Sequence, residues 1–137
     1  MWKYYALLAA FFAALTAIFS KLGVKDVESS LATAIRVGFI LVLTWGIVLF
    51  SGSHKMIWAI SRTTWLFLGL SAVATGLSWL CYFKALSMGD VSKVAPLDKL
   101  SVPLVIIIAA LFLGEPLTCK VALGGLLITC GAIFLLI

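Results

Sequence analysis

The sequence predicts an all-α integral membrane protein, with five transmembrane helices in a single domain over residues 1–137. Three observations carry that expectation. First, 64% of the residues are hydrophobic and only 11% are charged, against about a quarter charged in a soluble domain. Second, the apolar residues fall in blocks close to the roughly 20 residues that cross a bilayer, with short charged connections between them. Third, no alternating ten-residue segments occur, which a transmembrane barrel would need.

The elements follow in order. Residues 4–20, within YYALLAAFFAALTAIFS, are uncharged and long enough for one tilted span. Lys3 before an apolar stretch also fits a secretion signal. The stretch is long for a signal core, however, and no small-x-small cleavage site follows, so a retained span is expected. Residues 29–50 hold one charge, Arg36, and residues 63–83 hold none. A fourth helix over 94–113 requires Asp98 and Lys99 to lie within it. The fifth covers about 118–137. Its start is signalled by Glu115, favoured by the helix dipole, and by Pro116, suited to a first turn where no amide hydrogen is needed. Gly89–Asp90 marks a turn before the fourth helix, with Ser92 as its expected cap.

Polar residues inside spans carry the functional information, because an unsatisfied polar group is costly in hydrocarbon. On the third helix Ser71, Thr75, Ser78 and Tyr82 recur at spacings of four, three and four, which puts them on one stripe beside Trp79. Thr33, Arg36 and Thr44 lie near one face of the second helix, close to Trp45. For any one hydroxyl, a bond back to its own helix or a bond that glues two helices is the simpler reading. The set together, with an Arg and an Asp, points to a water-accessible cavity.

The stretch APLDKLSVP at residues 95–103 is the least membrane-like part of the apolar blocks. Helix order brings Arg36, Asp98 and Lys99 in from the same side of the membrane, one to two turns deep. Asp98 is expected either to pair with Arg36 or to stand as the one intramembrane carboxylate of a cation-lined vestibule. Lys99 is expected to snorkel to the interface or to line that vestibule. Pro96 and Pro103 each free a carbonyl in the preceding turn and weaken the helix where shape can change.

Several function classes are disfavoured. The net charge of +5 comes from scattered anchors and not from a basic helix face, so nucleic acid is not an expected partner. Cys81, Cys119 and Cys130 lack metal-ligand spacing, His54 stands alone in a connection where it should be solvated, and no cofactor or metal is implied. No nucleophile–base–orienter set or phosphate-binding glycine loop occurs, so an enzyme is not expected.

Tyr82–Leu86, Gly89, the Val94–Leu97 entry (VAPL), the Gly114–Glu115 loop and the Gly-rich Gly124–Gly131 segment follow one another over the last 55 or so residues. Their order and spacing give this stretch a resemblance to the drug/metabolite transporter superfamily in its EamA-type branch. It implies one EamA-like five-helix repeat, half the usual two-repeat chain. It further implies a homodimer with a substrate site between copies, working by alternating access in the inner membrane. Gly124 and Gly131 resemble the small-residue dimer motif of four-helix relatives. Those relatives exchange protons through a Glu in their first helix; no acid lies there here, so only Asp98 is left for a similar role.

The expected function is therefore secondary transport of a small metabolite, with Arg36, Asp98 and Lys99 supplying electrostatics and Ser71, Thr75, Ser78, Trp79 and Tyr82 lining a cavity. Aromatics with Arg and Lys suit an anionic or zwitterionic solute. The alternative is a non-transporting membrane subunit whose polar stripes bind lipid or a partner chain. Lys3, Lys55, Arg62 and Lys120 fall on one side, and Lys21, Lys25, Lys84 and Lys93 on the other. This near-balance gives weak orientation and allows an antiparallel dimer.

Overall fold

The structure, a computed structural model, describes residues 1–136. Among these residues six α-helices run in order: α1 (Trp2–Gly23), α2 (Ser29–Phe50), α3 (Arg62–Met88), α4 (Val91–Asp98), α5 (Ser101–Phe112) and α6 (Cys119–Phe134). A 3-10 helix, Ser53–Ala59, precedes α3. The protein is thus an all-α, multi-pass membrane protein. Among the described residues, four stretches are long and apolar enough to cross a bilayer, Trp2–Gly23, Ser29–Phe50, Arg62–Met88 and Val91–Phe112. Cys119–Phe134 is a shorter apolar helix, and the expected end of that helix at residue 137 lies outside the described residues.

The chain divides into two units, Phe19–Ser87 in one and Met1–Ile18 with the chain from Met88 onward in the other. In the Phe19–Ser87 unit, Ser20, Val24, Ser29, Thr33, Phe83 and Leu86 are buried. Lys21 Nζ donates to the Leu86 carbonyl at 2.7 Å. That carbonyl is among the last of α3, where the helix dipole favours a cation. Glu28 is the N-cap of α2 and was not singled out from the sequence. Its carboxylate accepts from the Leu31 amide at 3.0 Å and from the Ser30 hydroxyl at 2.9 Å. Hydrogen bonds at Ser30 and Leu31 hold its pKa below the ordinary carboxylate value of 4.5. Gly52, at φ 73°, ends α2 in a left-handed turn that leads into the 3-10 helix. His54 in that helix is half-buried, not fully solvated, and its Nδ1 is enclosed.

In the other unit, α6 packs against α4 and α5. Gly125 of α6 makes the close approach: a β-carbon there would lie 3.1 Å from Ile106 Cδ1 and 3.8 Å from Pro103 Cβ. Ala109 and Ala132 are buried. Gly114, at φ 67°, closes α5 and returns the Glu115 amide to the Ala109 carbonyl at 3.3 Å.

Several boundaries differ from the sequence expectation, each for a local reason. The third helix runs on to Met88, because the polar residues after Tyr82 (Lys84 and Ser87) are good enough helix formers and Ser87 bonds back to Lys84 at 2.7 Å. Asp90, not Ser92, occupies the N-cap of α4, since the chain leaves the turn one residue after Gly89. Pro116 and Glu115 are not in the first turn of α6. Thr118 caps that helix by accepting from the Val121 amide, and a Thr side chain forms such a bond where Pro cannot.

The fourth helix is not continuous: α4 stops at Asp98 and α5 starts at Ser101. Pro103 explains the position. A proline ring clashes with the carbonyl four residues earlier and offers it no amide hydrogen. That carbonyl is Lys99, which accepts instead from Val102 at 2.9 Å, while Lys99 and Leu100 donate to Pro96 and Leu97 at 3.0 Å. All three are tight three-residue bonds, so the break lies between the two prolines.

Candidate functional site

Two clusters gather the polar residues singled out from the sequence, one in each unit. The first joins α2 to α3. Arg36 is the eighth residue of α2, about 10 Å along the helix from Ser29 at 1.5 Å per residue. Its guanidinium carbon lies 4.2 Å from the centroid of the Trp79 ring and 5.6 Å from that of Phe83. Arg36, Trp79 and Tyr82 are half-buried and Phe83 is buried. A cation against two π-faces is held by their quadrupoles, more strongly where water is excluded. Phe83 escaped the sequence reading, although its position four residues after Trp79 places both rings on one α3 face.

The remaining stripe on α3 divides. Thr75 donates to the Ser71 carbonyl at 2.8 Å, so its hydroxyl is spent on its own helix. Thr33 and Thr44 on α2 behave likewise, donating to Ser29 at 2.8 Å and to Ile40 at 2.8 Å. Ser71, Thr75 and Ser78 are all exposed on the chain. The aromatic end of the stripe therefore meets Arg36, and the hydroxyl end does not.

The second cluster sits at the break between α4 and α5. Lys99 Nζ lies 3.3 Å from Asp98 Oδ2, with the two side chains 56% and 38% exposed. An ion pair between sequence neighbours is weak in water. Inside the Val91–Phe112 span its exposure has a different meaning, because charges in hydrocarbon face a cavity or a protein neighbour. Ser101 begins α5 and is exposed.

Gly124 and Gly131, expected at a dimer face, have open space where a β-carbon would stand. The close helix approach within the chain belongs to their neighbour Gly125. Small residues crowd one side of α6, and only the packing partner decides which of them is used. Among the described residues, no group of three or more His, Cys, Asp or Glu is placed to hold a metal ion.

A model of the EamA-like transporter family matches residues 1–137, the full length of the chain. The chain belongs to the EamA-like transporter family. This makes it a membrane transporter that carries small molecules by means of its helices. The transporter is 50% identical over 134 residues to a Sinorhizobium sp protein named "Uncharacterized transporter in cobO 3'region", a match covering 98% of this chain and 95% of that one. No solved structure matches the chain.

Proposed function

We propose that this transporter is a secondary carrier of small metabolites in the inner membrane, working by alternating access as a homodimer of five-span repeats. The observation that supports this most is the break at Lys99–Leu100, well inside the Val91–Phe112 span and flanked by charges. Discontinuous helices carry the substrate and coupling-ion sites of many secondary transporters, at the interface between repeats. One repeat here supplies one broken helix, and a second copy supplies the other. In this reading Cys119–Phe134 is the fifth span, with its Gly124–Gly131 side against the partner, and Asp98 is the coupling carboxylate. The pairing is antiparallel, since the Lys and Arg residues are near balance on the two sides.

The experiment is counterflow uptake in vesicles against labelled amino acids, nucleosides, amines and organic acids, with Asp98→Asn alongside. Loss of uptake in a folded Asp98→Asn protein supports the carrier. If the well-folded dimer is silent across the panel, the polar clusters hold a partner chain or a lipid instead.

A further inference from the structure

We infer that the α2–α3 cluster is an anion seat, in which Arg36 binds the carboxylate or phosphate oxygens of a soluble solute between Trp79 and Phe83. The inference deepens the transport reading and rests on it, since a carrier is what gives a solute access to this depth.

A guanidinium carries five N–H donors in a planar fork and stays charged at any relevant pH. Aromatic rings attract its charge but offer its N–H groups no lone pairs of the kind an oxygen provides. Within its own unit Arg36 makes ring contacts and no hydrogen bond or ion pair. Tyr82 acts on Arg36 electrostatically from the same cluster, and the other nearby groups are committed elsewhere. Thr33, one turn earlier, donates to Ser29. The unit holds two carboxylates, Asp26 and Glu28, both in the connection before α2. Glu28 is engaged by Leu31 and Ser30, and Asp26 is exposed.

A half-buried guanidinium about 10 Å into a span, with no hydrogen bond inside its own unit, is costly unless water or an anion meets it. An oxyanion with two adjacent oxygens fits the fork bidentately, as an ammonium or a neutral amide does not. The rings then have a second use. They fix the guanidinium's position before the solute arrives, which lowers the ordering cost of binding. Lysine would not replace arginine here, because a point charge neither stacks nor forks.

The chain contains two arginines, Arg36 and Arg62, which makes an arginine-specific footprint decisive. The full chain, in phosphatidylcholine nanodiscs, is treated with phenylglyoxal and each arginine is followed by mass spectrometry. The probes are acetate, succinate, inorganic phosphate, succinamide and tetraethylammonium, at up to about 10 mM, ten times a millimolar Kd. The expected result is saturable protection of Arg36 by at least one of the three anions. Succinamide and tetraethylammonium should give none, and Arg62 should react alike throughout.

Calorimetric titration of the protecting anion should show binding about ten- to a hundredfold weaker in Arg36→Lys, and lost in Arg36→Gln. Trp79→Leu should weaken binding and Trp79→Phe should keep most of it, while Lys3→Gln should leave it unchanged. No protection by any anion, or equal protection by tetraethylammonium, overturns the seat. Adding phosphatidylglycerol distinguishes the other source of phosphate. If it protects Arg36 and succinate or phosphate cannot compete, the occupant is a lipid headgroup and the solute assignment fails. Anion protection without counterflow would remove the transport reading and keep the seat. Counterflow of an amine without anion protection would do the reverse.

Discussion

At the scale of single residues, hydrogen-bonding capacity decides most of what these side chains do. Glu28 satisfies the first amides of α2, and its pKa lies below 4.5 because the ionised form is the better acceptor. Its contribution is therefore complete above the ordinary carboxylate range and is lost as pH falls through the lowered value. Thermal melts should show Glu28→Ala less stable than wild type at pH 7, with the two curves converging in acid below that range. A gap that persists in acid would mean that Glu28 acts through something other than its charge. Gly125 sets a steric limit of a different kind. Gly125→Leu would drive a side chain into Ile106 and Pro103 and should cost about 1–3 kcal/mol or more in stability, read by denaturant titration.

At the scale of elements, the broken fourth span is the informative feature. Pro103→Ala restores an amide hydrogen four residues after Lys99 and removes the clash with its carbonyl. Hydrogen exchange at Lys99–Val102 should slow as α4 and α5 join, and counterflow should fall while melting temperature holds or rises. Unchanged exchange would place the cause of the break elsewhere. Much of this element was legible in the sequence: two prolines and a charge pair announce an irregular span. What the sequence did not carry was the side of each proline on which the helix stops, because Pro96 is tolerated inside α4 while Pro103 opens α5. The same applies to the α3 stripe. Its spacing showed which residues share a face, and Arg36 and Trp79 do meet. Whether a threonine reaches across or bonds back depends on a rotamer, and here it bonds back. Glu28 was missed because an acid before a span reads as an interfacial charge until its cap geometry is seen.

At the scale of the whole molecule, composition was enough for the membrane class. It was not enough for the partner, because a surface that meets lipid and one that meets a second copy are equally apolar. Gly131 separates them. A β-carbon there meets nothing within 4 Å among the described residues, so Gly131→Leu should leave the monomer's unfolding free energy within about 0.5 kcal/mol of wild type. If α6 pairs with its counterpart, the same change should weaken dimerisation about tenfold or more, read by cross-linking yield in native membranes. Dual insertion is checked separately: an N-terminal tag should be labelled from both faces of sealed vesicles, and labelling from one face alone would exclude the antiparallel pair.

The order of the two charges at the break has one more consequence. Asp98 ends α4, where the helix already presents its negative pole, and Lys99 stands just before α5, where the pole is positive. Asp98 faces a pole of its own sign, whereas Lys99 also caps the C-terminal end of α4 and lies between the two poles, so the local electrostatic frustration falls on Asp98, and the exchanged order, Lys then Asp, would relieve it by about 0.3–1 kcal/mol. A protein selected for rigidity there would carry the exchanged order. The double variant Asp98→Lys with Lys99→Asp is therefore expected to melt higher and to carry less, with the difference between those two readouts measuring how much stability this span forgoes in order to move.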